Sequence, residues 1–223
     1  MSIVKPISYL KIGQASSLSV FWFGVFYIII TAWGFLSLKS PIEQIPDPFF
    51  TIMEIMSILV SLSMAISLTA LFFIQTSKTK RMICLVSLLL MYLVTGITSC
   101  VHFVVLSLRS SSSLITSQYE SFFSFKWPSV VYALDILAWD WFFALSMLTA
   151  AFLFGDDKIG KVIRILLLTS SILSFAGLLG VPLENMNIRN IGIIGYAVIA
   201  PFAFLLIGKT FEKHRKEKSK KIS

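Results

Sequence analysis

Four ionisable side chains interrupt otherwise apolar stretches of the chain, and they are its clearest candidates for chemistry. They are Glu54, His102, Asp135 and Asp140. A carboxylic acid can deliver a proton to a bound molecule and an imidazole can take one back, which is general acid–base catalysis. The same residue types form proton relays in membrane transporters. The sequence therefore predicts these four as candidate catalytic residues, with a proton pathway as the alternative.

The elements that must position these side chains are six long apolar runs. The chain has 223 residues, of which 57% are hydrophobic and 13% are charged, about half the charged share of a soluble domain. A membrane-spanning helix needs about 20 mostly apolar residues. The runs that meet this length are Ser17–Leu38, Phe49–Ile74, Ile83–Leu106, Pro128–Phe154, Val162–Val181 and Ile191–Gly208. We therefore expect an all-α fold, a polytopic membrane bundle with six transmembrane helices, in one domain over residues 1–210.

The distribution of basic residues predicts the orientation of this bundle. With the N-terminus inside, 15 of the 19 Lys and Arg residues fall in inner segments, and four fall outside: Lys39, Arg109, Lys126 and Arg189. Cytoplasmic segments carry such an excess of Lys and Arg, so both termini are expected to be cytoplasmic. The location predicted is the cytoplasmic membrane of a prokaryote, with a basic cytoplasmic tail over residues 211–223. Orientation accounts for the net charge of +8, and no nucleic-acid partner is expected.

Depth and helical facing bring three of the four ionisable residues together. At about 1.5 Å of rise per residue, Glu54, His102 and Asp135 lie roughly 9 to 12 Å outward of the membrane midplane. His102 extends a polar stripe that includes Thr95, and Glu54 extends one that includes Ser57, because residues three and four apart share a helix face. We therefore expect these three side chains to line one cavity in the outer half of the bundle, within about 10 Å of each other.

Asp140 is expected to lie apart from this group, near the midplane. It stands five residues after Asp135, which is roughly 140° around an α-helix, so the two carboxylates should not point at the same spot. Arg189 is expected in the outer loop before the sixth span. There it would cap the mouth of the cavity and pair with Glu184, with Glu54 or with an anionic lipid headgroup, since a guanidinium binds carboxylate or phosphate with two hydrogen bonds.

Aromatic side chains near the acids are candidates for substrate binding. The predicted binding residues are Tyr132, Trp139, Trp141, Tyr196 and Arg189. Aromatic faces attract a developing positive charge, which suits acid–base chemistry on an unsaturated lipid. No cofactor and no metal are expected, because the chain has no glycine-rich nucleotide loop and no HExxH pair. The partners expected are membrane lipids and a hydrophobic small molecule, and a homodimer stays open.

The last three spans carry a resemblance to small polytopic membrane proteins of prokaryotes. It rests on two segments, Pro182–Tyr196 and Leu134–Phe143, and it implies no activity, so no residue role comes from it. Three functions remain open. The first is an intramembrane acid–base enzyme, of isomerase, cyclase or hydrolase type, on a lipid or isoprenoid-like substrate. The second is a small proton-coupled transporter or channel, and the third is a lipid-binding or scaffold protein.

Overall fold

A computed structural model describes residues 6–40, 45–109, 122–155 and 157–220. Within these ranges the regular structure is helical, and the predicted all-α fold is confirmed. Six helices among the described residues are long and apolar enough to cross a membrane. They are α1 (Pro6–Leu36), α2 (Phe49–Ile74), α3 (Lys78–Arg109), α4 (Val130–Ala151), α5 (Lys158–Leu178) and α6 (Met186–Lys220). Residues 110–121, in the loop predicted between the third and fourth spans, lie outside the described ranges.

The helices form a ring in which each helix packs beside the next one in sequence. Short connections make successive helices antiparallel neighbours, and α6 closes the ring by packing against α1. The end of the bundle where α2, α4 and α6 begin is called the site end here, and the opposite end is called the tail end. The ring of Phe211, late in α6, packs on Gly13 near the start of α1, so the start of α1 and the end of α6 lie toward the tail end.

Apolar side chains fill the tail-end half of the ring. Phe143, Met147, Phe204 and Phe211 are among its fully buried members. Buried hydroxyl groups cross-link the same half, such as Ser17 Oγ with Ser67 Oγ at 2.7 Å. Helices in membranes associate through such small residues and hydrogen bonds, so this half is a rigid base for the more polar site end.

Two helices contain a π-helical turn beside the interior of the ring. In α4 the turn covers Leu137–Phe142, and the N–H of Phe143 donates to the carbonyl of Ala138. In α6 it covers Ile194–Ile199 and is separated from Pro201 by Ala200 alone. A π turn closes hydrogen bonds over five residues instead of four, and such turns occur often at functional sites. Proline has no N–H to donate within a helix, and the widened turn of α6 lies just ahead of it.

Candidate functional site

An imidazole held between two carboxylates forms the centre of the site. His102 Nδ1 lies 2.6 Å from Glu54 Oε2, and His102 Nε2 lies 3.5 Å from Asp135 Oδ1. All three residues are at least 96% buried. They come from the second turn of α2, the last third of α3 and the first turns of α4, which meet at the site end. The polar stripes on α2 and α3 predict this meeting, and the structure brings the three side chains together as expected.

Arg189 completes the cluster from α6, and the prediction that it caps the mouth from a loop is wrong. Its Nη2 donates to Asp135 Oδ2 at 2.5 Å, and its Nη1 donates to Tyr132 Oη at 2.8 Å. The guanidinium carbon also lies 4.4 Å from the centre of the Tyr132 ring, a cation–π distance. Arg189 is only 4% exposed. The physical reason is that α6 begins earlier than its apolar run does, at Met186, where Asn185 caps the helix by accepting from the N–H of Asn187.

Asp140 joins the same cluster, and the prediction that it points away from Asp135 is wrong. Its Oδ2 lies 3.4 Å from Nε of Arg189, whose Nη2 binds Asp135. The π turn of α4 explains the difference, because hydrogen bonds over five residues place side chains five apart on one face. Asp140 is fully buried, and its Oδ1 packs so closely on Gly192 that a Cβ there would lie 2.2 Å from it.

A cavity of about 530 Å³ adjoins the charged cluster. Glu54, His102, Asp135 and Arg189 form the charged part of its wall, and Thr31, Ser57 and Asn190 add uncharged polar groups. The rest of its wall is largely aromatic and aliphatic, and it includes Tyr27, Phe50, Phe125, Tyr132, Trp139 and Tyr196. The rings of Trp139 and Tyr196 lie 5.0 Å apart, one on each π turn. Three of the predicted binding aromatics, Tyr132, Trp139 and Tyr196, therefore line the cavity.

Trp141 does not line this cavity, so its predicted place in the binding site is wrong. Its side chain is 42% exposed and packs edge-on against Phe175 at 5.8 Å between ring centres. Residues two apart on a helix do not share a face. Since Trp139 points inward, Trp141 is directed to the outside of the bundle.

One face of α1 belongs to the site, although sequence reasoning singles out none of its residues. Gly24, Tyr27, Thr31 and Phe35 line the cavity, and their spacing of three and four is that of one helix face. Gly24 permits the approach of α6, because a Cβ there would lie 2.7 Å from Pro201. This stripe of residues, in which a tyrosine follows a glycine by one turn, is the sequence pattern from which the role of α1 could have been predicted.

The cavity reaches the outside of the bundle between α1 and α6. The two helices pack closely over Ala200–Lys220, but α1 barely contacts the first segment of α6, Met186–Ile193. Phe35 of α1 and Asn190 of α6 line the cavity and are also exposed. The cavity therefore has exposed lining residues on both sides of this gap.

Hydrogen bonds connect the cluster: Glu54 with His102, and Arg189 with Asp135 and Tyr132. Over the ranges that the structure describes, no group of three His, Cys, Asp or Glu side chains is placed to hold a metal ion.

The fold and the site define a class: a six-helix bundle of membrane-spanning type with a buried ionic cluster on the wall of an internal cavity. Comparison with protein-family models, curated proteins and solved structures finds no match. The resemblance of the last three spans to small prokaryotic membrane proteins stays an expectation.

Proposed function

We propose that the protein is an intramembrane acid–base enzyme that isomerises an unsaturated, lipid or isoprenoid-like substrate. The observation that carries this proposal is the imidazole of His102, held between two carboxylates on the wall of a cavity that is mainly apolar and aromatic. A cavity of this kind, with a few convergent polar groups, is typical of a site for a small apolar ligand. Its volume of about 530 Å³ is within the usual range for such sites.

The arrangement supports a closed proton cycle with no co-reactant. His102, protonated at both nitrogens, donates the Nε2 proton to one carbon of a double bond, and the π electrons form the new C–H bond. Asp135 Oδ1 then removes a proton from the carbon beside the resulting cation, and those C–H electrons form the new double bond. The proton returns from Asp135 Oδ1 to His102 Nε2 over the 3.5 Å between them. Glu54 holds the opposite ring nitrogen, as the orienting group does in other acid–base sites.

Neighbouring groups favour the cationic intermediate of this cycle. Trp139 and Tyr196 line the cavity, and aromatic faces attract positive charge, more strongly when water is excluded. Arg189 fixes Asp135 through its second carboxylate oxygen, which leaves Oδ1 directed at His102. Preorganised charges of this kind supply much of the rate enhancement in many enzymes.

The membrane position that we propose follows from the charge distribution. Lys78, Lys80 and Arg81 begin α3 at the tail end, and the basic end of α6 lies at the same end. The positive-inside rule then directs the tail end to the cytoplasm of a prokaryotic cell and puts the site in the outer half of the membrane. The substrate reaches it sideways from the bilayer, between α1 and α6.

Deuterium exchange tests the proposed reaction. The protein is reconstituted in phosphatidylcholine vesicles in D₂O with farnesol or geranylgeraniol, and deuterium bound to carbon is measured by mass spectrometry. We expect exchange with the wild type, and a loss of about 10²- to 10⁴-fold with His102→Gln or Asp135→Asn, the usual contribution of one acid or base.

Asp157→Asn is the matched control for these variants. It also changes a carboxylate to an amide, but at the tail end, where Asp157 caps α5 by accepting from Gly160 and asparagine caps equally well. It should exchange at the wild-type rate. Equal exchange by wild type and His102→Gln, or no exchange by the wild type with either alcohol, would contradict the proposal.

A further inference from the structure

We infer that the cavity binds lipophilic amines through a protonated nitrogen, and that it rejects lipids with a phosphate or other anionic head. The inference concerns the cavity of the proposed enzyme and rests on that proposal for its biological meaning. The binding itself follows from the charges and hydrogen-bond groups of the wall and requires no turnover.

Both cation-forming side chains of the described wall already face protein groups. Arg189 donates through Nη2 to Asp135 and through Nη1 to Tyr132, and its Nε lies 3.4 Å from Asp140 Oδ2 without a hydrogen bond. His102 Nδ1 lies 2.6 Å from Glu54 Oε2, and its Nε2 lies 3.5 Å from Asp135 Oδ1, also without a hydrogen bond. A phosphate head needs cationic or N–H donors that are free to turn toward it. Each of these donors faces a carboxylate or a phenol within the described wall, so an anionic head would compete with a protein group for every one of them.

Acceptor capacity, by contrast, remains on the acidic side chains. Asp135 Oδ1 is buried and has no hydrogen-bond partner within the described residues, with His102 Nε2 at 3.5 Å. Both carboxylate oxygens of Asp140 are also buried without a hydrogen bond among the described residues, but Asp140 does not line the cavity, so Asp135 is the acceptor that a ligand can reach. Buried acceptors left unpaired are costly. A ligand that donates an N–H⁺ to Asp135 Oδ1 would remove one of these costs and form a charge-assisted hydrogen bond.

The apolar wall suits the remainder of such a ligand. Phe125 lies 5.7 Å from the ring of His102 and 5.3 Å from that of Tyr132, beside the charged cluster. Tyr27 and Trp139 line the same cavity. An alkyl chain would extend along these side chains toward the gap between α1 and α6, while the nitrogen would lie against aromatic faces, which attract ammonium groups.

The same features connect this binding to the proposed reaction. A protonated amine resembles the carbocation that forms when an alkene is protonated, in charge and in location. We therefore expect lipophilic amines to inhibit the isomerisation as well as to bind.

A matched series of dodecyl compounds tests the inference in the wild-type protein. Dodecyldimethylamine, dodecanol and dodecyl phosphate share one chain and differ in the charge of the head. Their affinities are measured by titration of tryptophan fluorescence and thermal unfolding in phosphatidylcholine nanodiscs, with partition into empty discs subtracted. We expect the amine to bind about thirtyfold more tightly than the alcohol, from its charge-assisted hydrogen bond to Asp135, and the phosphate to bind no better than the alcohol.

Variants show whether the preference comes from this site. Asp135→Asn should remove most of the amine preference, and Asp157→Asn should keep it. The inference is overturned if the alcohol or the phosphate binds the wild type as tightly as the amine, or if Asp135→Asn keeps the full preference. If Asp135→Asn does not fold, the wild-type series decides. Amine preference without deuterium exchange would refute the reaction alone, and exchange without amine preference would refute this inference alone.

Discussion

Gly192→Ala should destabilise the protein because the carboxylate of Asp140 occupies the space where a side chain would start. The new Cβ would lie 2.2 Å from Asp140 Oδ1, whereas ordinary Cβ contacts begin near 3.4 Å. Asp140 has no exposed surface, and its other oxygen lies 3.4 Å from Arg189 Nε. It therefore cannot move aside without disturbing the ionic cluster.

The size of the effect follows from two opposing contributions. Forcing an extra methyl group into a packed interior costs about 1–3 kcal/mol. Replacing a helical glycine with alanine gains about 0.5–1 kcal/mol through backbone entropy. We expect a net loss of about 1–2 kcal/mol, which is about 2–8 °C in Tm for a chain of this length.

Gly96→Ala is the matched control, and the assay is thermal unfolding in detergent, followed by tryptophan fluorescence. Gly96 is also helical, but no heavy atom lies within 4 Å of its added Cβ, so this variant should gain about 0.5–1 kcal/mol. A second test uses the Asp140→Ala background, where Gly192→Ala should no longer destabilise. The reasoning fails if Gly192→Ala is as stable as the wild type, or if its cost is the same with and without the Asp140 carboxylate.

Three further predictions concern the cluster, the cysteines and the topology. Arg189→Gln should lower the free energy of unfolding by about 3–5 kcal/mol, because it leaves buried carboxylates unpaired, and Arg189→Lys should lower it by less. If thermal unfolding shows both variants at the wild-type Tm, the ion-pair assignment is contradicted. In detergent solution a maleimide should react faster with exposed Cys100 than with buried Cys84, and peptide mapping that finds Cys84 labelled first would contradict the packing of α3. In a cysteine-free background, Asn187→Cys should react with an impermeant reagent added outside cells and Thr79→Cys only after lysis; reaction of both from one side would refute the six-span topology.

Hydropathy predicts the helices well where apolar and polar segments alternate sharply, and less well elsewhere. The bounds of α2, Phe49–Ile74, equal those of its apolar run, because Pro48 and Gln75 flank it closely. The α6 helix continues through the Lys- and Glu-rich tail to Lys220, well beyond the predicted end of the span. Lys and Glu are good helix formers, but a hydrophobicity scale reports only that they are too polar for a membrane span and says nothing of their helix propensity.

Only some of the contacts in the site follow from α-helical spacing in the sequence. Glu54 and His102 lie on regular α-helical stripes, so their meeting can be predicted from spacing. The contacts of Asp140 and Arg189 could not be, for two separate reasons. Asp140 lies within a π turn, where a periodicity of about 3.6 residues gives the wrong direction for a side chain. Arg189 lies in a helix whose first turn is too polar to extend the apolar run. Asn185, a strong N-cap residue type, was the available sign of that earlier start.

A π turn amounts to one extra residue inserted into an α-helix, so the two halves of α4 follow different helical phases. Before the turn, the phase directs Asp135 at Arg189; after it, the phase directs Phe143 and Met147 into the fully buried core. Removing one residue such as Ala138 would merge the phases and rotate one half by about 100° against the other. Either the acid or the core stripe would then face the wrong way. The site therefore requires the number of residues between Asp135 and Phe143 as much as it requires their identities. A variant that keeps every acidic residue but lacks one residue of α4 would not form the site.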